Sequence, residues 1–148
     1  MKFKSEYFWL VIFAVCFLAF QLVQDNIRPN YSGTSFLINY ILGVAPNFFP
    51  SIGIPALFVV VIPFFDKRNI TRRYMNEDRH ITANVISLIG LVTWEFLQLY
   101  TSNGNFDWND ILWTIIGAII FHLLWIVTPP HLKMIKVEKA SRESSRRP

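Results

Sequence analysis

The longest uncharged stretch of the chain places the strongest limit on its fold. Between Arg28 and Asp66 there are 37 residues without a charge. A single α-helix of that length would extend about 55 Å at 1.5 Å per residue, whereas the hydrocarbon core of a bilayer is about 30 Å thick. The uncharged stretch is therefore predicted to contain one membrane crossing, further residues that do not take part in it, and a break in the helix between the two.

Prolines and glycines indicate where that break should fall. The segment GVAPNFFPSIGIP contains Pro46, Pro50 and Pro55, and each proline removes a helical hydrogen bond and crowds the preceding turn. Residues 36–47 are too few to cross a bilayer, which predicts a short interfacial or re-entrant helix there and a spanning helix over 51–65. Irregular backbone at membrane depth needs protein or water to pair its polar groups, so the bend is expected to pack against other helices or to line a polar cavity. The alternative is a simple loop outside the membrane.

Three further apolar runs are long enough to cross a membrane. Residues 7–24 carry no charge and cover roughly 27 Å as a helix, and the runs 81–100 and 111–127 are of similar length. The composition agrees, because a 53% hydrophobic content in 148 residues exceeds what a soluble domain of this size usually buries. The predicted fold is all-α: a polytopic membrane helical bundle over 1–130 with four transmembrane helices and the short helix before the second.

The basic residues predict the orientation of the bundle. Of the 14 Lys and Arg residues, all but Arg28 lie at Lys2 and Lys4, in the segment 66–80, or in the tail 131–148. The positive-inside rule then places both termini in the cytoplasm and the protein in the cell membrane as a multi-pass protein. The tail is predicted to be basic, cytoplasmic and partly disordered. A net charge of +4 distributed in this way indicates topology and contact with membrane lipids, and no nucleic-acid partner is expected.

One acidic residue stands inside the third predicted crossing. Glu95 lies about five residues, roughly 7–8 Å, from the outer end of that helix. A carboxylate at this depth is costly unless it faces the bundle interior and is paired, hydrogen-bonded or protonated. Gln98, three residues later, shares its helix face and has an amide that can donate to it. We therefore expect these two side chains to form one polar unit.

Two further acids follow in the loop and at the start of the fourth helix. Asp110 immediately precedes ILWTIIGAII, where it is predicted to cap that helix; if the helix starts earlier, Asp107 and Asp110 are neighbours one turn apart. Capping and turn formation account for both aspartates but not for Glu95. A short loop makes the third and fourth helices antiparallel neighbours, which brings Glu95, Gln98, Asp107 and Asp110 to one outward-facing corner.

The same residues carry a resemblance to a known family. The stretch WEFLQLYTSNGNFDWNDILWTIIGAII resembles the motif region of the VanZ-like family of small bacterial integral membrane proteins. In that pattern Glu95 and Gln98 occupy the Glu-x-x-Gln positions, Asp107 is the loop acid, Asp110 opens the last helix and Gly117 is the structural helix glycine. The resemblance implies a role in the cell envelope, with some relatives associated with glycopeptide resistance.

Three functions are compatible with this corner. The favoured hypothesis is binding of a lipid headgroup, a cell-wall precursor or a glycopeptide-type compound by Glu95, Gln98, Asp107 and Asp110. The second is a membrane-embedded enzyme in which Glu95 is the general acid or base for a lipid-linked substrate. No cofactor is required by either hypothesis, although the three carboxylates could hold a hard divalent cation.

The third hypothesis is purely structural. Glu95 and Gln98 would then stabilise the bundle by hydrogen bonds, with Thr114 as a partner, since Asn84 lies nearer the cytoplasmic side. His122 is about 18 Å from Asp110 along the fourth helix, so it is not expected to join the acidic corner. It is predicted to be a hydrogen-bonded interhelical histidine, with a proton relay as the alternative.

Overall fold

The structure is a computed structural model that describes residues 5–65, 72–101 and 106–133. Over these ranges the chain forms five helices and no strand. The first helix, α1, has regular turns over Ser5–Gln21, continues through a π-helical segment at Leu22–Ile27 and ends with Arg28–Asn30. The others are α2 (Phe36–Phe65), α3 (Arg72–Gln98), α4 (Trp108–Val127) and α5 (Pro130–Lys133).

Four of these helices are long and apolar enough to cross a membrane. The qualifying segments are Ser5–Asn30, Phe36–Pro63, Asp78–Gln98 and Trp108–Val127. The predicted class, an all-α bundle with four transmembrane helices, is therefore confirmed.

The break predicted inside the uncharged stretch is absent. α2 is one continuous helix of 30 residues, with Pro46, Pro50, Pro55 and Pro63 inside it, so the prediction of a separate interfacial or re-entrant helix at 36–47 was wrong. Each proline removes one helical hydrogen bond, whereas a true break at membrane depth would leave several backbone groups unpaired. At about 45 Å, α2 is longer than the hydrocarbon core, so it tilts or extends beyond it.

α2 is the central helix of the bundle. In its membrane-spanning window 44% of the residues are buried, against 11% in α1, and it packs against α1, α3 and α4, while α3 also packs against α4. Glycines permit the closest approaches. A Cβ on Gly53 would lie 2.9 Å from the Cβ of Cys16 in α1, and one on Gly117 would lie 2.9 Å from the carbonyl oxygen of Phe48. Gly117 thus lets α4 pack closely on α2.

Several predicted boundaries move. α1 continues past residue 24 to Asn30, and α3 begins at Arg72, within the segment 66–80 that was expected to be a loop. The short helix α5 takes up the first residues of the predicted tail. Residues 66–71, the SNGN segment at 102–105 and the remainder of the tail, 134–148, lie outside the described residues.

Aromatic rings join the helices at the end of the bundle where α1 begins. Trp9 is completely buried, stacks on Trp125 of α4 at 5.0 Å between ring centroids and donates a 2.9 Å hydrogen bond from Nε1 to the carbonyl oxygen of Leu132. His80 of α3 stacks on Trp125 at 4.8 Å and on His122 at 5.3 Å. We call this region, defined by Trp9, His80, His122 and Trp125, the tryptophan end. The interhelical position predicted for His122 is thus a ring stack.

Candidate functional site

A polar cluster occupies the opposite end of the bundle, where α3 ends and α4 begins. We call it the carboxylate end and define it by Arg28, Asn47, Glu95, Gln98 and Asp110. α1, α2, α3 and α4 all contribute to it, because successive long helices run in opposite directions. It lies where sequence analysis placed the acidic corner.

Glu95 is the most deeply buried member of the cluster. Only 1% of the residue is exposed, and the Gln98 side chain, almost one turn later in α3, lies within interaction range of its carboxyl group. The carboxyl oxygen Oε2 is buried and has no hydrogen-bond partner among the described residues. The predicted Glu95 and Gln98 unit is present, and it leaves one strong acceptor unused.

Asp110 forms the second part of the cluster from the first turn of α4. It is half-buried, and the side chain of Asn47 in α2 lies within interaction range of its carboxylate. Arg28, at the far end of α1, and Asp107 are close enough to Asp110 to interact with its charge. Asp110 and Asp107 interact in the same way with Glu95. The carboxylates therefore share one electrostatic environment, with Arg28 as a cation at its edge.

Asp107, and not Asp110, caps α4. Its carboxylate accepts a 2.9 Å hydrogen bond from the backbone N–H of Asn109, and the helix begins at Trp108, three residues before the predicted start at 111. The prediction that Asp110 is the cap was wrong, and the alternative of an earlier helix start holds. Asp107 is exposed and its role in the structure is that of an N-cap.

Two buried hydroxyl groups lie beside the cluster and are already used. Thr114 Oγ1 donates to the carbonyl oxygen of Asp110 at 2.8 Å, and Ser51 Oγ donates to that of Phe48 at 2.7 Å. Asn84 donates its amide to the carbonyl oxygen of Ala118 at 3.0 Å, away from Glu95. The hydroxyl hydrogen of Thr114 is therefore not free for Glu95, which removes the partner that the structural hypothesis favoured.

Two members of the cluster were missed by sequence analysis. Asn47 lies between Pro46 and Phe48, in the segment interpreted as a bend, so its position on a packed helix could not be inferred. Arg28 did carry a signal, because it is the one basic residue outside the three basic segments. A basic residue that lies away from the segments that set the membrane topology is a reasonable candidate for a role in a local site.

The chemistry of the cluster favours ligands that donate hydrogen bonds. Ionised carboxylates only accept hydrogen bonds, and the cluster has two carboxyl groups, with the charge of Asp107 nearby, against one guanidinium group. No group of three or more His, Cys, Asp or Glu residues within the described ranges could hold a metal ion. The geometry thus gives no support to a divalent cation held by Glu95, Asp107 and Asp110.

The fold and the cluster together define a multi-pass helical membrane protein with a buried carboxylate site at one end of its bundle. Comparison with known proteins found no matching family model, no matching curated protein and no matching solved structure. The resemblance of residues 94–120 to the VanZ-like family therefore stays a prediction.

Proposed function

We propose that the chain is an integral membrane protein of the cell envelope that binds a hydrogen-bond-donating group at the carboxylate end. The ligand classes that suit this chemistry are a lipid headgroup, a cell-wall precursor and a glycopeptide-type compound, all of which can carry amine, amide or hydroxyl donors. The motif resemblance to VanZ-like proteins supports the same set. Glu95, Gln98 and Asp110 are the proposed contact residues, and Asp107 adds charge while it caps α4.

The unused Oε2 atom of Glu95 is the observation that carries this proposal. Buried polar atoms in folded proteins nearly always have a hydrogen-bond partner, and a carboxylate within a membrane helix is costly when its charge is not compensated. A side chain kept only to stabilise the bundle would be expected to use both carboxyl oxygens. A ligand N–H or O–H group would complete the hydrogen bonding of Glu95.

The half-buried residues of the cluster provide the route to Glu95. Gln98 is the last residue of α3, and both Gln98 and Asp110 are partly exposed. A ligand arriving from that end meets Asp110 first. Displacement of the partly exposed Gln98 side chain would then open Glu95 to it.

The test compares Glu95→Gln with a matched control, Asp25→Asn. Both changes remove one carboxylate at the same end of the bundle, but Asp25 is exposed on α1. We expect Glu95→Gln to accumulate normally, to melt within about 4 °C of the wild type in detergent and to lose the growth phenotype that the wild type confers across a glycopeptide concentration series. Asp25→Asn should keep both properties.

The same variant separates the other two hypotheses. If Glu95→Gln melts early or fails to accumulate, Glu95 stabilises the bundle and the binding proposal fails. If it folds and confers the wild-type growth phenotype, the carboxylate is not part of a working site. An enzyme would show conversion of a lipid-linked substrate by the wild type that Glu95→Gln abolishes; binding without conversion supports the present proposal.

A further inference from the structure

An apolar groove opens beside the carboxylate end. It has a volume of about 270 Å³ and is lined by eight apolar residues from α1, α2 and α4, among them Val23, Ala45, Phe48 and Trp113. No polar side chain lines it. A half-open apolar groove on the outside of a membrane bundle is in contact with lipid chains, which are the apolar molecules available to fill it.

The groove and the carboxylate cluster share a wall. Phe48 directly follows Asn47, whose side chain lies within interaction range of Asp110. Trp113 lies three residues, about one helical turn, beyond Asp110 in α4, and its ring contacts that of Phe48 at 5.7 Å between centroids. One ligand could therefore place an apolar chain in the groove and a polar group against the carboxylates.

Arg28 adds a positive charge at the edge of this region. It follows Val23 by five residues in α1, across the π-helical segment, so it lies about 7 Å further toward the membrane surface than the groove wall. Arg28 also interacts with the charge of Asp110. From the groove toward the membrane surface, the chain thus presents first the apolar wall, then the carboxyl groups of Glu95 and Asp110, and then the guanidinium group of Arg28.

This charge pattern discriminates among common lipid headgroups. An ethanolamine headgroup has an ammonium group with N–H donors for Glu95 and Asp110, and a phosphate for Arg28. A choline headgroup has the same charges but no N–H to donate. A glycerol headgroup leaves the lipid anionic and is repelled by the carboxylates.

We propose that the carboxylate end binds an ethanolamine phospholipid, with its ammonium group at Asp110 and Glu95, its phosphate at Arg28 and one acyl chain in the groove between Val23 and Trp113. This inference rests on the proposed function of the carboxylate end as a headgroup site. It adds the identity of the headgroup and the position of the chain.

The test is native mass spectrometry of the purified full chain titrated with dipalmitoyl phosphatidylethanolamine, phosphatidylcholine and phosphatidylglycerol. We expect the ethanolamine lipid to bind about tenfold tighter than the choline lipid, because it alone among these headgroups donates a charge-assisted N–H bond. Glu95→Gln should abolish that preference. Equal or weaker binding of the ethanolamine lipid by the wild type overturns the headgroup assignment.

The chain position is tested by filling the groove. Val23→Trp should weaken binding of all three lipids by about tenfold or more, since the indole occupies the volume of several chain methylenes. The matched control is Val15→Trp, also on α1 but 60% exposed to lipid, which should bind as the wild type does. If Val23→Trp does not fold, Ala45→Leu fills the groove from α2 and is judged by the same criterion.

The outcomes of these tests distinguish a failure of the lipid assignment from a failure of the proposed function. Unchanged lipid binding in a folded groove variant overturns the chain position while the headgroup site stands. Ethanolamine preference that survives Glu95→Gln overturns the inference. The growth test then decides whether the proposed function fails as well. If Glu95→Gln confers the wild-type growth phenotype, the proposed function is overturned. If Glu95→Gln loses that phenotype, the proposed function is retained.

Discussion

The two ends of the bundle are each built around a large buried side chain, Trp9 at one end and Glu95 at the other. At the tryptophan end, the Trp9 indole N–H has a backbone partner on a distant segment, and the Trp125 ring is stacked against rings from α1 and α3. At the carboxylate end, Glu95 is almost as deeply buried, yet its Oε2 atom has no hydrogen-bond partner among the described residues.

The difference indicates which end stabilises the protein and which is free for another task. The packed apolar cluster contains Trp9, Phe121 and Trp125, and these residues connect α1 and α4 directly by ring contacts. Aromatic pairs of this kind contribute through dispersion and geometry that a lipid environment does not replace. A buried carboxyl oxygen with no partner among the described residues contributes nothing comparable to stability, and the proposed ligand role of Glu95 starts from this difference.

The largest effect is expected from Trp9→Ala. Loss of a completely buried indole, its stack on Trp125 and its hydrogen bond to Leu132 should lower the free energy of unfolding by about 3–5 kcal/mol. Thermal unfolding in detergent measures it. The control is Trp94→Ala, because Trp94 is 60% exposed and should change stability little. Equal losses in the two variants would show that the tryptophan end is not the main stabilising region.

Gly117→Ala should have the next largest effect. The new methyl group would collide with the Ser51 hydroxyl and with the carbonyl oxygen of Phe48, which should cost about 1–3 kcal/mol by forcing α4 away from α2. Gly90→Ala is the matched control, since a Cβ there meets nothing within 4 Å and alanine favours a helix by up to about 1 kcal/mol. If Gly117→Ala is tolerated as well as Gly90→Ala, the close contact of α2 with α4 is not required.

Tyr40→Phe probes the polar contacts beside the carboxylate end without touching a carboxylate. It removes the 2.9 Å hydrogen bond that Trp113 Nε1 donates to the Tyr40 hydroxyl, and the expected loss is about 0.5–1.5 kcal/mol. Tyr100→Phe should have no measurable effect, because Tyr100 is 87% exposed. A zero effect at both positions would mean that α2 and α4 are held at this end by packing alone.

Glu95→Gln is expected to have the smallest effect on stability, and that small effect is the sharpest test of the comparison. Glutamine has nearly the same shape and can keep a hydrogen bond with Gln98, so unfolding free energy should change by less than about 1 kcal/mol. Chemical or thermal unfolding beside the wild type measures it. A loss above about 2 kcal/mol would make the carboxylate end a stabilising region like the tryptophan end.

Local sequence patterns were sufficient for the class of fold and for part of the site. Four apolar runs predicted four crossings because helix length and bilayer thickness are linked by simple geometry. Glu95 and Gln98 could be paired from their spacing alone. Asp107 and Asp110 followed from the short connection between antiparallel helices, although which of them caps α4 depended on a helix start that sequence cannot place within a few residues.

Helix continuity and the long-range contacts were decided by the tertiary structure. The prolines of α2 predict a break when each is considered locally, but the surrounding helices and the lack of water favour continued helical pairing. Asn47 reaches Asp110 only because α2 remains helical through that segment. Likewise, Trp9 meets Trp125 and Leu132 across more than 100 residues of chain, a distance over which no sequence periodicity carries information.

The sequence by itself determined that this protein is a four-helix membrane bundle with an acidic corner, because hydropathy, length and charge act locally. Only the tertiary structure decided that Glu95 Oε2 has no partner among the described residues, that Arg28 and Asn47 join the corner and that an apolar groove lies beside it. Those properties depend on which faces of the four helices pack against one another. The energy of that packing is a sum over contacts between residues that are far apart in the sequence.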